Sequence, residues 1–213
     1  MSATTDDGGN EIDHETYSMP RSGYKDMWPL GHVAIAYLLY TLATHRRFNA
    51  PPAHIPALIL VVGSQFPDLV DKPLAWYVGV IPTGRSLSHS LVLLVPLSIG
   101  LYLLARHYDR SEYGIAFAIG ALSHSLVDAF PAVWGDTSPS FLLWPLLSVE
   151  TYENGSPTVL GLLRDSLGEP YFLSEFVFAA IALVVWRRDG YPGLAPLRTL
   201  VSRLTSRSSR SDV

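Results

Sequence analysis

Residues 87–105 read LSHSLVLLVPLSIGLYLLA, and from Leu91 to Leu104 the stretch carries no charged side chain. Residues 171–186, YFLSEFVFAAIALVVW, repeat the pattern, with no charge between Phe176 and Trp186. A helix of that length lying on a soluble protein shows a polar face with a 3.6-residue period. Neither stretch has one. Three more apolar segments lie at residues 28–44, 54–70 and 114–130. At about 1.5 Å per residue, segments of roughly 16–19 residues reach about 24–29 Å, within the range for crossing a bilayer. The pattern predicts an all-α fold, a polytopic membrane bundle of about five transmembrane helices filling residues 28–188.

Composition agrees. Hydrophobic residues make up 48% of the 213 and charged residues only 16%, where a soluble domain has about 25% charged. A net charge of −4 offers no basic surface, which argues against a nucleic-acid partner. The absence of Cys removes disulfides, thiol catalysis, iron–sulfur clusters and Cys-ligated zinc. The sparse basic residues are sorted by position. Arg46, Arg47, Arg106, Arg110, Arg187, Arg188, Arg198, Arg203, Arg207 and Arg210 fall on one side of a five-pass alternation. Arg21, Lys25, Lys72, Arg85 and Arg164 fall on the other, among many acids. The positive-inside rule then predicts a multi-pass cell-membrane protein with its N-terminus outside and its C-terminus cytoplasmic, its partners being membrane lipid. Residues 1–27 read as a disordered acidic tail without a signal-peptide pattern, and 189–213 as a basic, Ser/Arg-rich cytoplasmic tail. The apolar connection 134–170, broken at Trp144-Pro145, is expected to cap the bundle.

Ionisable residues inside such segments are costly and mark function. They are few: His32, Asp68, Asp71, His89, His124 and Asp128, and the predicted topology puts all of them on the outer side. His124 and Asp128, spaced i, i+4, share one helical face. Imidazole and carboxylate without thiolate suit a divalent metal, Zn²⁺ first, with Mn²⁺ or Fe²⁺ also compatible. The hexapeptide LSHSLV occurs at both 87–92 and 122–127. Neighbouring Ser and His on a helix do not face each other, and no G-x-S-x-G elbow is present, which argues against a serine nucleophile.

The chain resembles the membrane-bound metal-dependent hydrolases, the YdjM-like inner-membrane proteins of bacteria and archaea. The resemblance rests on Gly31-His32, on Gly63-Ser64-Gln65-Phe66-Pro67-Asp68-Leu69-Val70-Asp71, on Arg85-Ser86-Leu87-Ser88-His89-Ser90, on Gly120-Ala121-Leu122-Ser123-His124-Ser125-Leu126-Val127-Asp128 and on Trp144-Pro145. It spans about residues 28–148. The order of ligands is also distantly similar to part of the set in bacterial zinc-dependent phospholipase C, whose later His and Glu ligands have no counterpart here. The resemblance implies metal-dependent hydrolysis, with metal-activated water attacking an ester or phosphoester, lipid-type in view of the location. On this reading His32, Asp68, His89, His124 and Asp128 are metal ligands, and Asp128 doubles as a catalytic group. Asp71 either supports a ligand or acts as general base. Arg85 binds a substrate phosphate or carboxylate, or anchors at the interface, and Glu175 is an additional candidate. The alternative is a non-enzymatic membrane protein with a structural metal or a metal or proton path.

Overall fold

The computed structural model describes residues 28–134, 138–149, 158–167, 169–196 and 199. The proposed tail 1–27, most of the proposed tail after 189 and the middle of the 134–170 connection lie outside the described residues. Among the described residues the chain is all-helical, with no strand.

Helix α1 (Pro29–Phe48) opens on a proline whose missing N–H costs nothing in a first turn, and closes on Asn49 in the left-handed region. Helix α2 (His54–Pro73) follows a short connection and runs into a π-helical turn, Leu74–Val78, which Gly79 ends at φ 70°. Helix α3 spans Leu91–His107 and helix α4 Ser111–Ala129, extended by a 3₁₀ turn over Phe130–Trp134. A second 3₁₀ turn, Ser140–Leu143, stops at Trp144, ahead of Pro145. Helix α5 (Val159–Ser166) is short, and helix α6 (Pro170–Arg188) is long.

The long helices α1 to α4 and α6 fall on the five predicted segments, with two differences at their ends. Residues 87–90 are a turn, so His89 precedes α3 and does not open it. Ser90 sets that boundary: its backbone is extended, and its Oγ accepts the Val92 N–H as an N-cap. Helix α2 continues to Pro73, three residues past the predicted segment, which places Asp71 as well as Asp68 inside the helix. By length and composition, Ser111–Val133 and Pro170–Arg188 can cross a membrane, while Leu91–His107 is apolar but shorter.

Helix α4 packs against α2, α3 and α1, and α6 packs on α1. Small residues set these distances. A Cβ on Gly63 would lie 2.6 Å from the Phe117 carbonyl oxygen, and one on Gly120 2.5 Å from that of Leu60, so α2 and α4 touch backbone to backbone. A Cβ on Gly114 would meet the Tyr102 Cα at 2.4 Å, which fixes α3 against α4 in the same way. Close approach through small residues is how helices associate without a hydrophobic driving force. The core is correspondingly thin, built from Ala34, Ala36, Tyr37, Tyr40, Leu60, Ala116 and Ala182. Large apolar side chains point outward instead: Ile99, Leu103 and Leu104 on α3, and Phe176, Val177, Leu183 and Val184 on α6, are each more than half exposed.

The candidate site occupies one end of this bundle. It draws on the start of α1, the end of α2, the turn before α3 and the end of α4, with the start of α6 alongside α1. The opposite end carries Arg46, Arg47, Arg106, Arg187 and Arg188 in the last turns of their helices. A polar latch closes it, with Tyr37, Thr41 and His45 of α1 all hydrogen-bonded to the Asp189 carboxylate at 2.6–2.9 Å.

Candidate metal centre

His124 is placed by the glycine contact between α2 and α4. With Gly63 and Gly120 holding the two backbones together, its Nδ1–H donates to the Ser64 carbonyl at 2.6 Å. That bond leaves the Nε2 of the neutral ring as a bare lone pair turned into the bundle. His89 is placed by Asp71, which is fully buried. Asp71 Oδ2 accepts from His89 Nδ1 at 2.8 Å and from the Ser86 N–H at 2.9 Å, and Oδ1 accepts from the Ser88 N–H at 2.8 Å. Both oxygens are thus committed to the turn, and the second bare Nε2, that of His89, also faces inward. The two Nε2 atoms lie 3.2 Å apart. Two lone pairs at that distance repel unless a cation or proton sits between them.

Two carboxylates complete the cluster. Asp68 Oδ1 lies 3.5 Å from His89 Nε2 and 3.7 Å from His124 Nε2, while its Oδ2 takes the Lys72 ammonium at 2.6 Å. Asp128 Oδ2 lies 3.5 Å from His89 Nε2 and 3.8 Å from His124 Nε2. Its Oδ1 lies 3.4 Å from His32 Nε2. Asp68 Oδ1 and Asp128 Oδ1 are buried and accept no hydrogen bond among the described residues. Ligands about 2.1 Å from a tetrahedral ion stand about 3.4 Å from one another. The five separations recorded among Asp68, His89, His124 and Asp128 run from 3.2 to 3.8 Å, so the donor set fits a divalent cation. Two groups, His32 with His124 and Asp128, and Asp68 with His89 and His124, have their ligand atoms within 4.8 Å of one another.

All five residues read as ligands therefore converge. Arg85 is beside them, its Nε 2.9 Å from Asp128 Oδ2 and its guanidinium over the Phe141 ring. Thr83 holds the Arg85 backbone, its Oγ1 accepting the Arg85 N–H at 2.8 Å. Asp71 faces the turn and the back of His89, the position of a ligand's support; its oxygens do not point at the cluster. Glu175 is not among the clustered donors. Buried at the start of α6, it accepts the backbone N–H groups of Trp28 and Gly31, capping α1 one residue before His32.

Some contributors carried no sequence signal. Ser64 acts through its carbonyl, which any residue has. Phe141 packs edge-on against His89, with ring centroids 6.2 Å apart. Ser90 ties the connection over the site by donating to the Trp144 carbonyl. Only the apolar character of that connection hinted that it covers anything.

Fold and site together define a helical protein of membrane type with a buried cluster of three histidines and two aspartates suited to a metal. The chain matches the model of the YdjM inner membrane protein family over residues 27–193 and belongs to that family. No curated protein and no solved structure matches it.

Proposed function

We propose that this protein is a membrane-embedded, metal-dependent hydrolase of esters or phosphoesters. The observation that carries the reading is the pair of inward Nε2 atoms, each fixed from behind, facing Asp68 Oδ1, which accepts no hydrogen bond among the described residues, and Asp128 Oδ2. Buried charge and bare lone pairs in one place are expensive unless a cation compensates them.

A divalent metal bound there supplies Lewis acidity and a water acidic enough to ionise near neutral pH. The protein's own residues supply the rest. His89, His124, Asp68, Asp128 and His32 are the residues that would hold the metal, and Asp71 keeps the His89 ring turned and its Nδ1 protonated. Asp128 Oδ1, the oxygen turned away from the His89 and His124 pair, is the carboxylate atom near which a water's proton is best accommodated. Arg85, on Asp128 at the edge of the cluster, is the cation placed to meet an anionic oxygen of the substrate. Phe141 and the connection above it keep bulk water away.

The same reading takes α1 to α4 and α6 as five membrane passes. It is supported by the outward apolar faces of α3 and α6 and by the clustering of arginine at the end away from the site. The N-terminus and the site then lie on the outer side, and the C-terminus in the cytoplasm. A lipid-type substrate follows from that location. The burial of all three histidines favours a second reading, a structural metal without catalysis. Purified protein loaded with Zn²⁺ or Mn²⁺ and assayed on a panel of carboxylic and phosphate esters separates the two. Hydrolysis that disappears in Arg85→Ala and His124→Ala supports the enzyme; bound metal without turnover on any ester favours the structural role.

A further inference from the structure

We propose that the centre holds two divalent cations bridged by the Asp128 carboxylate; the proposal rests on the metal-centre reading above. It comes from the relation of two rings that a single ion does not explain. The His32 and His124 imidazoles are stacked, with centroids 3.7 Å apart and planes inclined by only 18°. An imidazole lone pair lies in the plane of its ring. Two near-parallel stacked rings therefore aim along separate lines, side by side, and do not converge on one ion about 2.1 Å from each nitrogen.

Asp128 shows that both rings aim the same way. His32 Nε2 stands 3.4 Å from Asp128 Oδ1, and His124 Nε2 stands 3.8 Å from Asp128 Oδ2. Each ring addresses its own oxygen of one carboxylate, the arrangement of a bridging carboxylate between two ions. The ring spacing matches the separation of about 3.5–4 Å found in two-metal sites. One cation is held by Asp68, His89, His124 and Asp128 Oδ2. The other is held by His32 and Asp128 Oδ1, with its remaining positions open to water or to a substrate oxygen. Glu175 caps α1 directly ahead of His32, which fixes the second ligand set to the first across α1 and α6.

The test is a metal count on the full chain in detergent, stripped with chelator and titrated with Mn²⁺. Bound ions are counted by atomic emission and their coupling is read by electron paramagnetic resonance, with the count repeated for Zn²⁺. Two ions per chain and an exchange-coupled Mn²⁺ signal are expected. His32→Ala should halve the count and replace the coupled signal with that of an isolated ion. One ion per chain in the wild type with an isolated-ion signal overturns the two-cation centre, and an unchanged count of two in His32→Ala overturns the assignment of the second cation to His32; either leaves the metal reading standing. No bound ion of either kind overturns both. The wild-type count decides the matter even if His32→Ala does not fold.

Discussion

Nε2 of His89 lies 3.2 Å from Nε2 of His124, and each ring is turned to that position by a hydrogen bond to its opposite nitrogen. The Asp71 carboxylate orients one ring and the Ser64 carbonyl the other. Three elements of the bundle are needed to make this one contact: α2 supplies both acceptors, the turn before α3 and helix α4 supply the rings, and the glycines of α2 and α4 set the spacing.

Asp71 should therefore matter to metal affinity without being a ligand. Asp71→Asn keeps the shape but puts an amide where four donors converge, His89 Nδ1 and the backbone N–H groups of Ser86, Ser88 and His89. Loss of a residue that orients a ligand typically weakens metal binding about 10–100-fold. Chelator competition in detergent should show a weakening of that order with the metal count unchanged. An unaltered affinity would show that His89 is held without Asp71.

The glycine contact makes a contrast between two substitutions. Gly120→Ala forces a methyl to 2.5 Å from the Leu60 carbonyl oxygen, whereas a methyl on Gly100 meets nothing within 4 Å. Gly120→Ala should destabilise by about 1–3 kcal/mol, the usual cost of overpacking, and weaken metal binding as His124 moves off Ser64. Gly100→Ala should be neutral or slightly stabilising, by up to about 1 kcal/mol from helix propensity. Thermal unfolding of the two variants in the same detergent checks both.

Much of this was readable from the chain. The uncharged run Leu91–Leu104 and the placing of the arginines identified the helices, and the i, i+4 spacing of His124 and Asp128 put both on one face. The convergence of His32, Asp68 and His89 with them followed from alternating helix direction. What local sequence did not carry were effects that depend on distant partners. Asp71 looked able to serve as a base because its engagement by Ser86, Ser88 and His89 exists only once the turn folds back on α2. Glu175 looked like another acidic candidate because its partner, the Gly31 N–H, is 144 residues away. Leu87–Ser90 read as helix because the segment is apolar; Ser90 capping and the pull of Asp71 on the backbone outweigh that propensity.

Glu175 gives a prediction about the start of α1. Glu175→Ala removes a charged acceptor from the Trp28 and Gly31 N–H groups and should cost about 1–2 kcal/mol, in line with the loss of a helix cap. Glu175→Gln retains one acceptor oxygen and should lose less. Chemical unfolding in detergent, run on both variants, measures the difference; equal losses would mean that the charge is what matters.

At the far end of the bundle, Asp189 links α6 to α1. Burial opposes its charge, but hydrogen bonds from Thr41, His45 and Tyr37 outweigh that and hold the carboxyl below its ordinary range. A carboxyl lowered in the folded state contributes its stability above the unfolded value of about 3.9 and loses it as pH falls through the folded value. The stability advantage of wild type over Asp189→Asn should be constant near neutral pH and shrink below about pH 4. Paired melting curves across that range report it, and an advantage that persists undiminished in acid would contradict the assignment.

Metal binding by the clustered histidines and aspartates underlies every reading of the site. Its most direct test is the metal content of the purified wild-type protein in detergent, measured beside His124→Ala and Asp68→Ala. Stoichiometric Zn²⁺, Mn²⁺ or Fe²⁺ is expected in the wild type, and its loss from both variants, with their helical content retained. A well-folded wild type that binds no divalent metal after saturation, or variants that bind as much as the wild type, would contradict it.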